Sequence, residues 1–373
     1  MPDLQSSFAP KAFVIIGCSL LMGLASHAEE KKPEPIGVLL AAGDIAECLS
    51  TKDEKKLKDK DEKVRKAAKE QADNKTGAAT ADLIQQQIAK HPNIEVRILA
   101  LGDLAYLHGE SFDCFNKTWG KFKDKILPAP GNHDFETDGG KPYRTYFAAT
   151  LKAVKAHGNR ATYAVDFPSA DKLAPGQKSW RLFALSSNEP GTQKDWLQSE
   201  MSKIKGQRCV LAFAHAFLYS SGRHGHADKE GPKGKPQNDI IDLTKPLLPG
   251  NMKELFGILH ANSASVFVAG HDHHYEQLGR ANAEAKAEDK GASAIVKDGI
   301  RSFIVGTGGT GLHGNDYDHK WAFQEAYDLK SRGILKIVLY STSYEWEFIP
   351  TKDNKDSLKI VKDVVRSDTC NLL

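Results

Sequence analysis

The sequence predicts a layered α/β fold, with a central sheet sandwiched by helices, and three observations carry the prediction. Short apolar runs alternate with amphipathic segments along much of the chain, as strands alternate with helices. The C-terminal part is richer in strand-like runs than in helical ones. Five of the apolar runs finish on an Asp, Asn or His, which in an open α/β sheet places those residues together in the crevice at the carboxyl ends of the strands.

Length and composition set the frame. With 373 residues, 40% hydrophobic and 27% charged, the chain is long enough for one large domain or two modest ones. Lys11 precedes an uncharged run, 12–25, that is too short to span a bilayer. Ser26-His27-Ala28 then has the small-x-small form of a signal-peptidase site, so residues 1–28 read as a secretory signal and the mature protein as secreted or periplasmic. An uncleaved anchor is the competing reading. Cleavage removes Cys18 and leaves Cys48, Cys114, Cys209 and Cys370, an even number with three possible pairings.

Taken in order, apolar strands are predicted over 37–42, 94–101, 161–167, 180–186, 209–214, 265–269, 302–305 and 334–340, and helices over 79–90, 116–123, 192–205 and 252–262. No internal period repeats. A charged insertion, 49–76, follows the first strand. Its core, 52–70, holds nine Lys/Arg and six Asp/Glu, a net charge equal to that of the whole chain. Because both signs are interspersed, it reads as a solvated helix or mobile insertion, with a partner-binding patch as the alternative. No nucleic-acid signature is present. Loops 217–250 and 279–299 are long enough to wall an active site or to be mobile surface.

The strand ends carry the chemistry. In order they read Gly43-Asp44, Gly102-Asp103-Leu104-Ala105-Tyr106, Gly131-Asn132-His133-Asp134 (after Ile126-Leu127-Pro128-Ala129-Pro130), His215, and Gly270-His271-Asp272-His273. Singly, Gly-Asp after a strand is commonly a turn or helix cap. Tyr106 alone reads as core, and His215 alone as a strand-end histidine with its hydrogen bonds met. Together, in this order, the five blocks are hard to explain as caps.

This ordered set resembles the calcineurin-like metallophosphoesterases and, within them, the purple acid phosphatases. The resemblance implies a four-layer α/β/β/α sandwich with a binuclear metal site at the carboxyl ends of the strands. Many relatives carry Asp-x-His in the first block; here the third position is Ala46, and Tyr106 lies where purple acid phosphatases place a tyrosinate. Carried over by motif, one metal is bound by Asp44, Asp103, Tyr106 and His273 and the other by Asp103, Asn132, His215 and His271, with Asp103 bridging. Phenolate and carboxylates suit Fe(III), whereas imidazoles and an amide suit a divalent ion, Zn, Fe or Mn. Only a strongly charged ion ionises a phenol whose free pKa is about 10.

The implied activity is hydrolysis of phosphate esters, above all phosphomonoesters at acidic pH, by metal-bound hydroxide on two ions about 3.5–4 Å apart. His133 and His224 are the candidate catalytic residues, as proton donor to the leaving group or phosphate clamp. Plant purple acid phosphatases carry a histidine pair near His224; this chain has Gly225 in the second place, which leaves Arg223 or His226 as substitutes. The glycine-rich 306–311 borders the phosphate or is a tight turn, and His260, His274, Tyr275 and His313 read as core or surface. Between disulfide pairings, Cys48 with Cys114 is favoured, since each lies a few residues past a proposed ligand; Cys209 opens a strand and reads as a buried thiol. With so few residues before Asp44, 29–373 is expected to be a single catalytic domain acting on a small phosphate ester, with no nucleic-acid partner and no stable membrane anchor after cleavage. The rivals are a phosphodiesterase or nucleotidase on the same scaffold and a non-catalytic secreted phosphate- or metal-binding protein.

Overall fold

The strands hydrogen-bond into two sheets whose facing side chains share one core. The computed structural model describes residues 33–49, 51–106, 112–157, 161–188, 193–225, 249–285, 296–313, 321–351, 357–360 and 366–372. The expected leader, 1–28, lies outside them, as do 226–248 of the first long loop, His226 among them, and 286–295 of the second. From Glu34 onward the chain forms one compact unit.

The first sheet has the order β14-β12-β11-β1-β2-β3, comprising β1 (Gly37–Ala42), β2 (Glu95–Leu101), β3 (Ile126–Ala129), β11 (Gly333–Leu339), β12 (Ser343–Pro350) and β14 (Ser367–Thr369). The second has the order β13-β10-β8-β9-β7-β6-β5-β4, comprising β4 (Tyr163–Phe167), β5 (Trp180–Ala184), β6 (Val210–Ala214), β7 (Val266–Ala269), β8 (Tyr275–Ala281), β9 (Ile300–Val305), β10 (Gln324–Asp328) and β13 (Lys359–Ile360). In the first sheet β1, β2 and β3 run parallel, and in the second β5, β6, β7 and β9 do. Their carboxyl ends therefore open together.

Helices are α1 (Thr51–Leu57), α2 (Glu62–Lys75), α3 (Ala78–Lys90), α4 (Asp113–Thr118), α5 (Asn132–Phe135), α6 (Lys141–Tyr146), α7 (Ala148–Ala153), α8 (Gln193–Ser202) and α9 (Pro249–Ala261). Side chains alternating across the second sheet define the layers. Trp180, Leu182, Leu211, Phe213, Val266 and Val268 pack into a core shared with β1–β3 and α3. Their neighbours Phe183, Val210, Ala212 and Phe267 pack instead with Leu197 and Met201 of α8 and with Leu255 and Phe256 of α9. The result is the expected α/β/β/α order.

One expectation changes. Cys48 pairs with Cys114, but Cys209 is no free thiol: it pairs with Cys370. A separation of 161 residues left no local signal for that bond; it ties the start of β6 to the C-terminal segment after β14. The charged insertion forms α1 and α2, with Asp61 capping α2 by accepting from Lys63 N at 2.8 Å. Only Ala68 and Ala72 of α2 are buried, in keeping with a solvated helix. The predicted helix 116–123 is α4 continued by a 3-10 turn, Trp119–Phe122.

Candidate metal centre

Left-handed backbone marks the crevice. Asp44, Asp103 and His271, each following a glycine at the end of β1, β2 or β7, have φ of 59°, 48° and 70°. Such a conformation costs a non-glycine residue roughly 1–3 kcal/mol, so the surroundings must hold it. They do so by linking the ends of the strands to one another: Gly43 N donates to Val305 O at 2.8 Å, Asp44 N to Gly102 O at 2.9 Å and Ile45 N to Asp103 O at 3.0 Å. Gly102 is required at its place because a Cβ there would come within 2.6 Å of the His215 ring.

All seven proposed ligands lie in this crevice, in two clusters. In the first, Tyr106 Oη donates to Asp44 Oδ1 at 3.0 Å and lies 3.1 Å from His273 Nε2, which is itself 3.2 Å from Asp44 Oδ1. Tyr106 is placed there by its backbone, whose N–H donates to Ala46 O at 2.9 Å. In the second cluster, His215 Nε2 lies 3.1 Å from Asn132 Oδ1, 3.1 Å from His271 Nδ1 and 3.3 Å from Asp103 Oδ2. His271 N joins the clusters by donating to Asp44 Oδ2 at 2.8 Å. By distance Asp103 belongs to the second cluster.

The donor atoms fit metal ions. His215 Nδ1 lies 2.9 Å from Leu101 O and His273 Nδ1 lies 2.6 Å from Gly311 O. With a proton on each Nδ1 to serve those carbonyls, both Nε2 atoms are left as lone-pair donors pointing inward. His215 Nε2 then faces the Asp103 carboxylate, the Asn132 amide oxygen and His271 Nδ1, a set that positive charge satisfies, a metal ion when one is bound and a proton when none is.

Electrostatics agree. Burial opposes charging of His215, yet the adjacent Asp103 carboxylate raises its pKa to about 9. Burial alone would raise the Asp103 carboxyl, but the charges of His215 and His133 outweigh it and hold it well below the usual range. A proton thus occupies the place of a metal charge. Tyr106 is pushed well above 10 by burial and then by the Asp44 and Asp103 carboxylates, so its phenolate forms only against a strong cation. Since His215 is protonated below about pH 9 in the metal-free protein, an ion must displace that proton. Uptake at the second cluster is therefore expected to weaken about tenfold per pH unit as pH falls from 8 to 6. Equilibrium dialysis against zinc checks this, and a flat profile would refute it.

Around the clusters lie residues of three kinds. His133, 35% exposed, donates its backbone N–H to Asp103 Oδ1 at 2.9 Å, while its Nδ1 lies 2.9 Å from Glu136 Oε1. Its Nε2 stands 3.9 Å from Asp103 Oδ2. His224 stacks on His271 with ring centroids 4.4 Å apart. Gly225 admits no substitute there, because a Cβ would collide with the Ser220 carbonyl. A second imidazole does reach this place, from a residue expected to be core or surface: His313 stacks on His273 at 3.9 Å and lies 5.2 Å from the His224 ring. His274 and Tyr275, by contrast, are buried core.

Two further groups support the ligand loops, the first with a role that the sequence reading missed. Asp134, wholly buried, accepts from Gly131 N at 2.8 Å and Leu104 N at 3.1 Å, joining the second and third ligand loops. The turn 306–311 packs on the first loop, with Gly308 N donating to Gly43 O at 2.9 Å and Thr310 N to Asp44 O at 3.0 Å. Its tight-turn reading holds, and Gly311 O orients His273.

A two-sheet sandwich with paired carboxylate and histidine clusters at its strand ends defines a metallohydrolase-like class. The chain belongs to the calcineurin-like phosphoesterase family, whose sequence profile matches residues 31–275. Metal-dependent phosphoester hydrolysis is the chemistry of that family, and its metal centre is binuclear. No curated protein is significantly similar in sequence. Among solved structures the fold resembles purple acid phosphatase PPD1 from yellow lupin (Lupinus luteus) seeds, with a TM-score of 0.54 and 16% identity over 89% of this chain and 53% of that one. It also resembles GAP50, the anchor in the inner membrane complex of Plasmodium, with a TM-score of 0.52 and 12% identity over 91% of this chain and 90% of that one. The chain thus spans 53% of the length of the lupin protein. At these identities the likeness is one of fold.

Proposed function

We propose that the protein hydrolyses small phosphomonoesters at acidic pH, with Fe(III) held by Asp44, Asp103, Tyr106 and His273 and a divalent ion, Zn, Fe or Mn, held by Asp103, Asn132, His215 and His271. The observation that supports this reading best is the Tyr106 phenol set 3.0 Å from Asp44 and 3.1 Å from His273. Fold alone does not carry function; that donor set does. When bound, the ions supply positive charge for the phosphoryl oxygens and an acidified water as nucleophile.

The chain's own groups then manage the leaving alcohol. As the bond from phosphorus to the ester oxygen breaks, that oxygen takes a proton, and His133 is the group proposed to give it from Nε2. Glu136, 2.9 Å from the other ring nitrogen, holds the ring in orientation. His224, against His271, is the second donor to the phosphoryl or leaving oxygen. Residues 29–373 act as one catalytic domain, freed of the leader 1–28 in a secreted or periplasmic protein with no nucleic-acid partner. Two disulfides suit an oxidising compartment, and no helix among the described residues is long and apolar enough to cross a membrane.

Two measurements on purified protein test the reading. Turnover of a chromogenic phosphomonoester is expected with iron plus zinc or manganese; none at any pH from about 4 to 8 would remove the hydrolase. A visible tyrosinate-to-iron band is expected, and Tyr106→Phe should abolish it and lower kcat/KM at least about a hundredfold. A colourless, fully active wild type would instead mean a zinc or manganese phosphoesterase.

A further inference from the structure

Between the two ligand histidines of Gly270-His271-Asp272-His273 lies a carboxylate the proposed centre does not use. Asp272 is wholly buried. Its Oδ2 accepts from Ser220 Oγ at 2.5 Å, while its Oδ1 accepts from His224 N at 2.9 Å and lies 4.0 Å from His313 Nδ1. The Nδ1 atoms of His224 and His313 are both closed off from solvent, and among the described residues neither has a hydrogen-bond partner. One ligand atom from each of His224, Asp272 and His313 lies within 4.8 Å of the other two.

Such a trio needs an occupant. An orphaned buried nitrogen is costly, and here two of them share one carboxylate. A gap of 4.0 Å is too wide for a hydrogen bond, and the rings cannot close it without leaving the imidazoles on which they stack, at 4.4 and 3.9 Å. A water serves all three atoms only if one ring carries its proton on Nδ1 and donates it to the water. A cation satisfies all three at once.

We propose that His224, Asp272 and His313 form a third cation site beside the binuclear centre, sharing none of its ligand atoms and taking a divalent ion of the zinc type. Two imidazoles and one carboxylate are a zinc ligand set that keeps a position open. Ligation through Nδ1 leaves the proton of each ring on Nε2, so both histidines become fixed hydrogen-bond donors. With a single carboxylate and two cations next door, this ion is the weakest held and the first to leave.

Counting metal tests the site. Protein dialysed against stepped free zinc is expected to bind three metal equivalents per chain as wild type and two as His313→Ala or as Asp272→Asn. The iron content and the Tyr106-dependent band should be unchanged in His313→Ala, whose melting curve verifies its fold should buried Asp272 not tolerate replacement. A weak chelator should remove one zinc from the wild type before the band fades. Saturation of the wild type at two equivalents, or three equivalents persisting in His313→Ala, overturns the proposal. A wild type holding two metals, with KM raised in His313→Ala, also overturns it and makes the imidazoles direct phosphate contacts. The count is a difference between two proteins, so three equivalents without phosphatase turnover would uphold this site and remove the hydrolase reading alone.

Discussion

Asp103→Asn is expected to lower kcat/KM by at least about a thousandfold, some 4 kcal/mol of transition-state stabilisation, while leaving the fold intact. Asparagine tolerates the left-handed backbone that Asp103 adopts at φ 48°. Its remaining oxygen can still accept the His133 N–H that now lies 2.9 Å from Oδ1. What changes is the other end. An amide nitrogen in place of Oδ2, 3.3 Å from His215 Nε2, donates to the lone pair meant for the ion and removes the negative charge that attracts it. Metal content should fall from two equivalents in the binuclear centre to one or fewer, with a melting curve close to that of metal-free wild type. A variant that keeps both metals and activity within tenfold would show that Asp103 is not the shared ligand.

Asp134→Ala should cost about 3 kcal/mol of stability without touching a proposed ligand. The carboxylate accepts from Gly131 N, Leu104 N and, at 3.4 Å, Ala105 N in a wholly buried setting, and removing it strands these backbone donors at roughly 1–3 kcal/mol apiece for the stronger ones. Denaturant unfolding of the metal-free protein measures this. The milder Asp134→Asn adds a pH signature. Burial, and then the Asp103 charge, raise Asp134 to about 7, above its unfolded value of about 3.9. The native state therefore binds the extra proton, and the stability contributed by Asp134 falls as pH rises from about 4 to 7. The penalty of the Asn variant relative to wild type should accordingly be larger at pH 5 than at pH 8. A penalty that grows with pH would mean the carboxylate is stabilised, not strained, by its neighbours.

How much of this was legible in the sequence depends on where burial coincides with polarity. Strands β1, β3, β6 and β7 are wholly buried and β2 is buried from Ile98 onward, and all five read as apolar runs, so their terminal Asp, Asn and His stand out against them. Most of β8 and alternate residues of β10 are buried as well, yet they carry Glu276, Gln277, Gln324 and Asp328. Those side chains satisfy one another, as when Gln324 Nε2 donates to Glu276, or bond to the neighbouring loop, as when Ser221 N donates to Glu276 at 2.9 Å. No hydropathy pattern distinguishes such strands from loops. The alternating Ser343-Tyr344-Glu345-Trp346-Glu347-Phe348 of β12 did carry the period-two signal and could have been read.

Site residues divide the same way. All five ligand blocks sit at the end of a strand, four of them beside a glycine, and announce themselves locally. His313 has no such neighbourhood; it becomes a site residue only because Gly311 O and the His273 ring bring its segment to the crevice. Asp134 and Asp272 lay within noticed motifs, but their roles are read from partners thirty or more residues away, Leu104 for one and His224 for the other.

The paired helices α1 and α2 leave the two-sheet body just after Ala46 and return to it at Lys75, where Glu47 N donates to Lys75 O at 3.0 Å. Departure and return are thus a single backbone contact, clamped further by the Cys48–Cys114 bond. A chain closed so tightly at its neck can change length beyond it at little entropic cost, about 0.6 kcal/mol per doubling of a flexible loop. Ornament of any size could be added there while Asp44, three residues upstream, keeps its place.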